Sequence, residues 1–467
     1  MSSKTLIIVV IMAIYMAGML YIGYLGSKYS NSMSDFLTAG KRGKLYLVAG
    51  SYLGAHVGTG IVVGGATNGA KYGIGAGWFG IGAALSFLLF GLFCAKWAYK
   101  HNYLTIPAYF RDRYKSAGKG ITVVWSLMSI AVAISTLSGQ VIAGKNLFAY
   151  MGIQPLAGCI ISMVIIYIYC AAAGMWGVMM TDFWQCVVIL VGLGVTLIAI
   201  FSNGGAQTIG TLAPSYFTAV PFDTKTLLLM VVPSALYGLT GGANMQRTAS
   251  AENEKVAFRA PLIGCVLVAL FTFLPVVLGM YGMAAYENAD PSTIIYQVIL
   301  TELGPIMAGL MLAAIVAAVM STCDTTMMTI VTSAIYDTYG NVIAPKFNLK
   351  TDDKTMKRLS NIVTLILCVA AIYGAFISND IISTLSLGYT MFAAGGLVPY
   401  VFARLWKKGT SEAAVASMIV GMGVALANTL GWIHLVTGLL CVIPASIVYV
   451  IVSLCTQKKE PAEAEVK

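Results

Sequence analysis

The chain has 467 residues, 58% hydrophobic and only 10% charged, with a mean hydropathy of +0.84. This composition excludes a soluble globular domain and describes a polytopic membrane protein. Its formal charge of +10 resides in short loops between apolar spans, so it reports topology and gives no reason to expect a nucleic-acid partner.

Thirteen spans lie near or above the roughly 20 residues that cross a bilayer core: 6–26, 45–69, 76–98, 121–150, 155–173, 183–202, 226–245, 260–286, 304–335, 359–377, 381–404, 412–430 and 435–455. The first is too long for a signal-peptide core and lacks a basic segment before it, so it is expected to remain as a helix. With the N-terminus outside, nearly all Lys and Arg, Arg247 included, fall in cytoplasmic segments, and only Lys4, Lys71, Lys145 and Lys225 do not. A multi-pass protein of the inner (plasma) membrane with a cytoplasmic C-terminus follows. The nine Cys sit in or at the ends of apolar spans without metal or CxxC spacing, as small buried hydrophobes do.

In chain order, the second span carries Gly50, Gly54, Gly58, Gly60, Gly64, Gly65 and Gly69 where lipid alone would select Leu or Ile. Glycines of this density serve close helix packing or a backbone that leaves helical geometry and exposes carbonyls. His56 and Thr59 favour the second use, because a mid-depth His needs a cavity or a partner. The fourth span adds Gln140 and Lys145, which point to an aqueous vestibule, although Lys145 can also snorkel outward. Asp182 is expected at the cytoplasmic mouth of the sixth span, as a helix N-cap or first-turn carboxylate. The seventh span holds Pro233 and Gly238, then Gly241 and Gly242, and is expected to break near Pro233. Pro275 can kink the eighth, and Gly388, Gly395, Gly396 and Pro399 offer interruptions in the eleventh.

The ninth span carries more hydroxyls than a lipid-facing helix needs. On a helix, Ala318, Ser321, Thr322, Thr325, Thr329 and Thr332 fall within one stripe roughly 100° wide, with Asp324 well off its centre. Such hydroxyls bond back to the i−4 carbonyl, glue helices together, or face an ion. Breaks in the second and seventh spans, five apart, mark an inverted-repeat transporter and tip the choice toward an ion.

The motifs TAGKRG, TIPAYFRDRY, TDFWQ, NMQR, and AAVMSTCDT running into SAIYDTY occur in this order over nearly the whole chain. In them the chain resembles the sodium:solute symporter family, whose relatives carry proline, pantothenate and sugars. The resemblance implies an all-α integral membrane protein of LeuT-type fold, a 5+5 inverted repeat with one leading and two trailing helices. It divides the chain into a leading helix and hairpin (1–44), a first repeat (45–202), an extracellular loop (203–225), an inverted second repeat (226–405), two trailing helices (406–457) and a charged tail (458–467).

The resemblance further implies a Na⁺ site made of Ser321, Thr322 and the carbonyls of Ala318, Ala55 and Gly58, with Asp182 on the ion's route to the cytoplasm and Thr325 lining it with Thr329 and Thr332. Na⁺ is then the co-transported ion, and no organic cofactor is expected. Candidate contacts to a small organic solute are His56, Thr59, Gln140, Ser234, Tyr237 and Tyr389, Tyr237 doubling as an inner gate. The proline branch of the family has an Asp where Val57 stands here, which argues against proline and against a second, acid-lined cation site. The expected function is symport of an amino acid, carboxylate, vitamin or sugar with Na⁺ by alternating access. The rivals are proton coupling through Asp182 or Asp324, and a channel or substrate sensor. An enzyme is not expected, since HExxH, GxSxG and paired carboxylates do not occur. The sequence carries no sign of oligomeric state.

Overall fold

The computed structural model describes residues 3–28, 33–115, 118–172, 175–378, 380–433 and 438–457. The charged tail, 458–467, lies outside the described residues. Among those described the secondary structure is helical throughout, apart from one isolated bridge in which Gly43 pairs with Ala251. Among the described residues nine helices are long and apolar enough to cross a membrane, or up to ten if one bent pair counts as a single span.

A leading helix α1 (Ser3–Ser27) precedes the two halves of a broken helix, α2 (Leu45–His56) and α3 (Thr59–Tyr72). Next come α4 (Trp78–Phe90), α5 (Gly118–Tyr150), α6 (Pro155–Ala172) and α7 (Met175–Ser202). A second broken pair, α8 (Thr224–Thr240) and α9 (Gly242–Ser250), is bent by 49°. It is followed by α10 (Glu254–Phe271), α11 (Phe273–Ala285) and α12 (Pro305–Ile330). The chain ends through α13 (Asp353–Ile377), α14 (Ile381–Leu405), α15 (Ser411–Thr429) and α16 (Val442–Thr456).

The first break is where the glycines place it. Val57 (φ −77, ψ 45) and Gly58 (φ −84, ψ −163) leave helical geometry between α2 and α3. The second differs from expectation: Pro233 lies inside an unbroken α8, and the bend falls at Gly241 (φ −67, ψ 119). Pro233 removes one N–H bond and crowds the carbonyl of Leu229 without ending α8, whereas Gly241 and Gly242 together lower the cost of leaving the helix. Near Pro275 the helix is interrupted one turn upstream, at Thr272, where the proline's missing N–H frees the carbonyl of Phe271.

The expected interruptions of the eleventh span do not occur, since α14 is continuous through Gly388, Gly395, Gly396 and Pro399. Those glycines are contact surfaces. A Cβ on Gly388 would stand 3.0 Å from the Ser135 side chain, and one on Gly395 would stand 2.8 Å from Met422. The same device seats other pairs. Gly238 of α8 admits Ser86 of α4 (2.2 Å to a notional Cβ), and Gly279 of α11 admits the Ala66 carbonyl of α3 (1.9 Å). Without a hydrophobic drive between helices in lipid, approach of this kind supplies the packing energy.

This predicts that Gly279→Ala lowers the melting temperature of the detergent-purified protein, by about 1–3 kcal/mol of overpacking. Gly18→Ala, where a Cβ meets nothing within 4 Å, leaves it unchanged. Equal melting temperatures for the two variants would contradict the packing role.

Candidate ion and solute site

The break between α2 and α3 deprives the last carbonyls of α2 of their helical N–H partners. They are met by α12. Ser321 Oγ donates to Gly54 O at 3.0 Å and lies 3.1 Å from Ala318 O, while Thr322 Oγ1 approaches Ala55 O at 3.5 Å and Ala318 O at 3.3 Å. Of the predicted set, Ala55, Ala318, Ser321 and Thr322 therefore come together, with two departures. Gly54, absent from the expected ligands, adds a carbonyl. Gly58 contributes chiefly by lacking a side chain, because its carbonyl starts α3 by accepting from Val62 N (3.0 Å) and a Cβ there would sit 2.1 Å from Thr322 Oγ1. Neutral hydroxyl and carbonyl oxygens converging in a buried place suit a small hard monovalent cation better than a soft or divalent one.

Asp182 is not at a helix mouth. It lies inside α7, fully buried, packed so closely on α2 that a Cβ on Gly54 would be 2.9 Å from its own. Its Oδ2 accepts from Ser51 Oγ (2.6 Å) and Arg247 Nη2 (3.2 Å), and its Oδ1 is buried with no partner. Arg247, assigned by its sequence position to a cytoplasmic loop, is 1% exposed. Its guanidinium also bonds Ser51 Oγ (2.9 Å) and Thr325 Oγ1 (2.8 Å), so one side chain of α9 ties together α2, α7 and α12. The lower stripe is likewise engaged rather than open: Gln246 Nε2 donates to Thr332 Oγ1 (2.6 Å), and Thr329 Oγ1 reaches Gln246 Oε1 at 3.4 Å. Arg247 and Gln246 were legible as NMQR, but nothing local reveals that the short helix after the bend is buried. Asp324 is 1% exposed, with Oδ1 accepting from Thr325 N (2.6 Å).

The solute candidates fall into three contacts around the breaks. Thr59 Oγ1 donates to Gln140 Oε1 at 2.7 Å, joining the start of α3 to α5. Tyr237 of α8 stacks on Tyr389 of α14 with ring centroids 4.5 Å apart, and Ser234, buried, lies one turn before Tyr237 on the same face. Leu385 of α14, one turn before Tyr389, packs beside the first of these groups, against both Gly60 of α3 and Gly139 of α5. His56 stands apart from them, edge-on to Phe87 at 4.3 Å, with Nδ1 buried and unpartnered. Lys145 does not line a vestibule: Nζ donates to Ala375 O (3.0 Å), near the negative end of α13. At the α3–α14 end a polar cavity of about 250 Å³ lies beside a loose ion pair, Lys71 Nζ to Asp380 Oδ2 at 3.8 Å.

A sequence profile of the sodium:solute symporter family matches residues 36–421. The chain belongs to that family. Among its relatives are the sodium/proline symporter of Staphylococcus aureus, 24% identical over 96% of this chain and 92% of the relative. Another is the sodium/proline symporter 2 of Staphylococcus saprophyticus, 24% identical over 88% and 84%. The fold is shared with a substrate-bound, outward-open Na⁺-coupled sialic acid symporter (TM-score 0.80, 18% identity, 96% of this chain and 98% of that one). It is shared more distantly with MhsT in complex with L-phenylalanine (TM-score 0.52, 15% identity, 88% and 98%). These neighbours make the fold LeuT-type, as the sequence implied. As a family member the chain is a multi-pass membrane transporter, a sodium:solute symporter and not an enzyme.

Removing one partner of a buried ion pair typically costs about 3–5 kcal/mol, because the other charge is stranded. Asp182→Asn and Arg247→Gln are each expected to lower stability by that order in denaturant titrations of purified protein. The double variant should lose clearly less than the sum. Additive losses would show that the pair does not act as a unit.

Proposed function

We propose that this symporter couples the inward movement of Na⁺ to that of a small neutral or zwitterionic organic solute by alternating access. The observation that carries the reading is the meeting of Ser321 and Thr322 with the carbonyls freed at the α2–α3 break. Na⁺ seated among Gly54, Ala55, Ala318, Ser321 and Thr322 ties the broken helix to α12. It shifts the conformational balance only by its different affinity for the two states. The carboxylate of Asp182, with its orphaned Oδ1, and the hydroxyl of Thr325 lie on the way out, which opens when Arg247 lets go of Asp182 Oδ2 and Thr325 Oγ1.

The same reading takes the chain as thirteen spans. Residues 45–202 and 226–405 form inverted five-helix repeats around the two breaks, with one helix before and two after. The N-terminus is outside. The end that carries Lys100–Glu254 and Arg111–Asp337 is cytoplasmic, and the end that carries Lys71–Asp380 is extracellular.

The driving force bounds the solute. One charge through 100 mV supplies about 2.3 kcal/mol, and a tenfold Na⁺ gradient adds about 1.4 kcal/mol. A neutral or zwitterionic solute can use both, whereas a monovalent anion moving with one Na⁺ uses only the gradient. His56 Nδ1, the Thr59–Gln140 pair, Ser234 and the stacked Tyr237 and Tyr389 are the groups available to it. The relatives are named for proline. Val57, fully buried at the break, gives this chain no carboxylate for a secondary amine, so another solute of similar size is favoured.

Purified protein tested by thermal shift against amino acids, carboxylates, sugars and vitamins should be stabilised by Na⁺, by about 2.7 kcal/mol at a hundred times the dissociation constant. Li⁺ or K⁺ at the same ionic strength should do less. The Ser321→Ala/Thr322→Ala variant should lose the Na⁺ effect while keeping its fold. Equal Na⁺ stabilisation of both proteins would remove the site, and uptake that survives without Na⁺ but fails with a protonophore would remove the coupling ion.

A further inference from the structure

Between α4, α8 and α14 a cavity of about 240 Å³ opens on the outer surface of the bundle. Its walls are Phe93, Leu239, Tyr400, Val401 and Leu405, with Arg404 at one end. Phe93 (62% exposed) and Leu405 (81% exposed) form its rim, so it faces the hydrocarbon and is no part of the ion or solute site. The helix continuing from α4 is π-helical over Gly91–Ala95, and Phe93 of that turn forms one wall of the groove.

Arg404 bonds that turn in an unusual setting. Nη2 donates to Phe93 O (3.0 Å), Nη1 reaches Cys94 Sγ and Tyr400 Oη (both 3.4 Å), and the guanidinium lies 4.2 Å over the Trp97 ring. Every one of these partners is neutral, and among the described residues no carboxylate pairs with Arg404. The protein acceptors engage only Nη1 and Nη2, which leaves the Nε–H for another acceptor. Lys407 and Lys408 follow directly, and Arg113 bonds the Ala403 and Lys407 carbonyls, so the end of α14 is surrounded by positive charge. A rigid, half-buried guanidinium at the polar end of an apolar groove is complementary to a phosphodiester joined to an acyl chain.

We propose that this groove is a specific site for an anionic phospholipid, its phosphate on Arg404 and one acyl chain lying along Val401 toward Leu239. Leu239 stands two residues before the bend at Gly241, so the chain rests against the hinge of the α8–α9 pair. An occupied groove therefore restrains that bend, and transport depends on the charge of the surrounding lipid.

Full-length detergent-purified protein is titrated with phosphatidylglycerol or phosphatidylcholine of identical acyl chains, with native mass spectrometry and thermal shift as readouts. Wild type should bind phosphatidylglycerol about fivefold more tightly, the effect of one well-placed basic side chain. Arg404→Gln should erase the preference while keeping the phosphatidylcholine response, and Lys408→Gln, outside the groove, should keep it. Val401→Trp, which fills the groove and leaves Arg404 in place, should weaken phosphatidylglycerol binding and keeps the test open if Arg404→Gln fails to fold. Glycerol 1-phosphate, which lacks acyl chains, should not compete. Equal affinity for the two lipids in wild type, or a preference that persists in both groove variants, overturns the proposal.

Discussion

At Val57 and Gly58 the backbone departs from the helix in the middle of an apolar chain, and the neighbouring structure is arranged around the carbonyls this exposes. An unsatisfied peptide group in hydrocarbon costs several kcal/mol, and α12 helps to satisfy the break by presenting Ser321 and Thr322 to it. Gly58 makes that approach possible, since any side chain would occupy the position of the Thr322 hydroxyl. The same oxygens that satisfy the backbone form the polar centre of the bundle. The proposed cation site then coincides with the contacts that stabilise the broken helix.

The cation region is bounded on one side by a buried ion pair rather than by an apolar plug. Asp182 and Arg247, 0% and 1% exposed, join α7 to the short helix beyond the second bend, with Ser51 and Thr325 completing the network. A buried pair of this kind contributes little net stability over an apolar replacement, but it discriminates strongly between arrangements in which it is made and broken. The bend at Gly241 places Arg247 within reach of Ser51 on α2 and Thr325 on α12, so the two broken helices meet in one set of contacts.

Much of the architecture was legible in the chain. The glycine-rich second span and the hydroxyl stripe of the ninth correctly marked the two elements that meet, because a long apolar run containing such residues has few structural uses. The bend at Gly241 lies about two turns beyond Pro233, where the sequence suggests it, and the glycines of α14 read as interruptions although they are contact surfaces. Glycine has the same local signature in both roles, and only the neighbouring helix distinguishes them.

The sequence by itself determined the solvent, the helical class and the family, since these follow from apolar content, span length and the order of short motifs. It also showed a hydroxyl stripe that includes Ser321 and Thr322 on one helical face. Tertiary structure alone decided that Asp182 is a buried partner of Arg247, that Lys145 is held by the end of α13, and that Gly54 adds a carbonyl to the centre. A charge near a span boundary reads as a loop residue until the depth of its helix is known. Depth is set by how the helices stack, which no local pattern encodes.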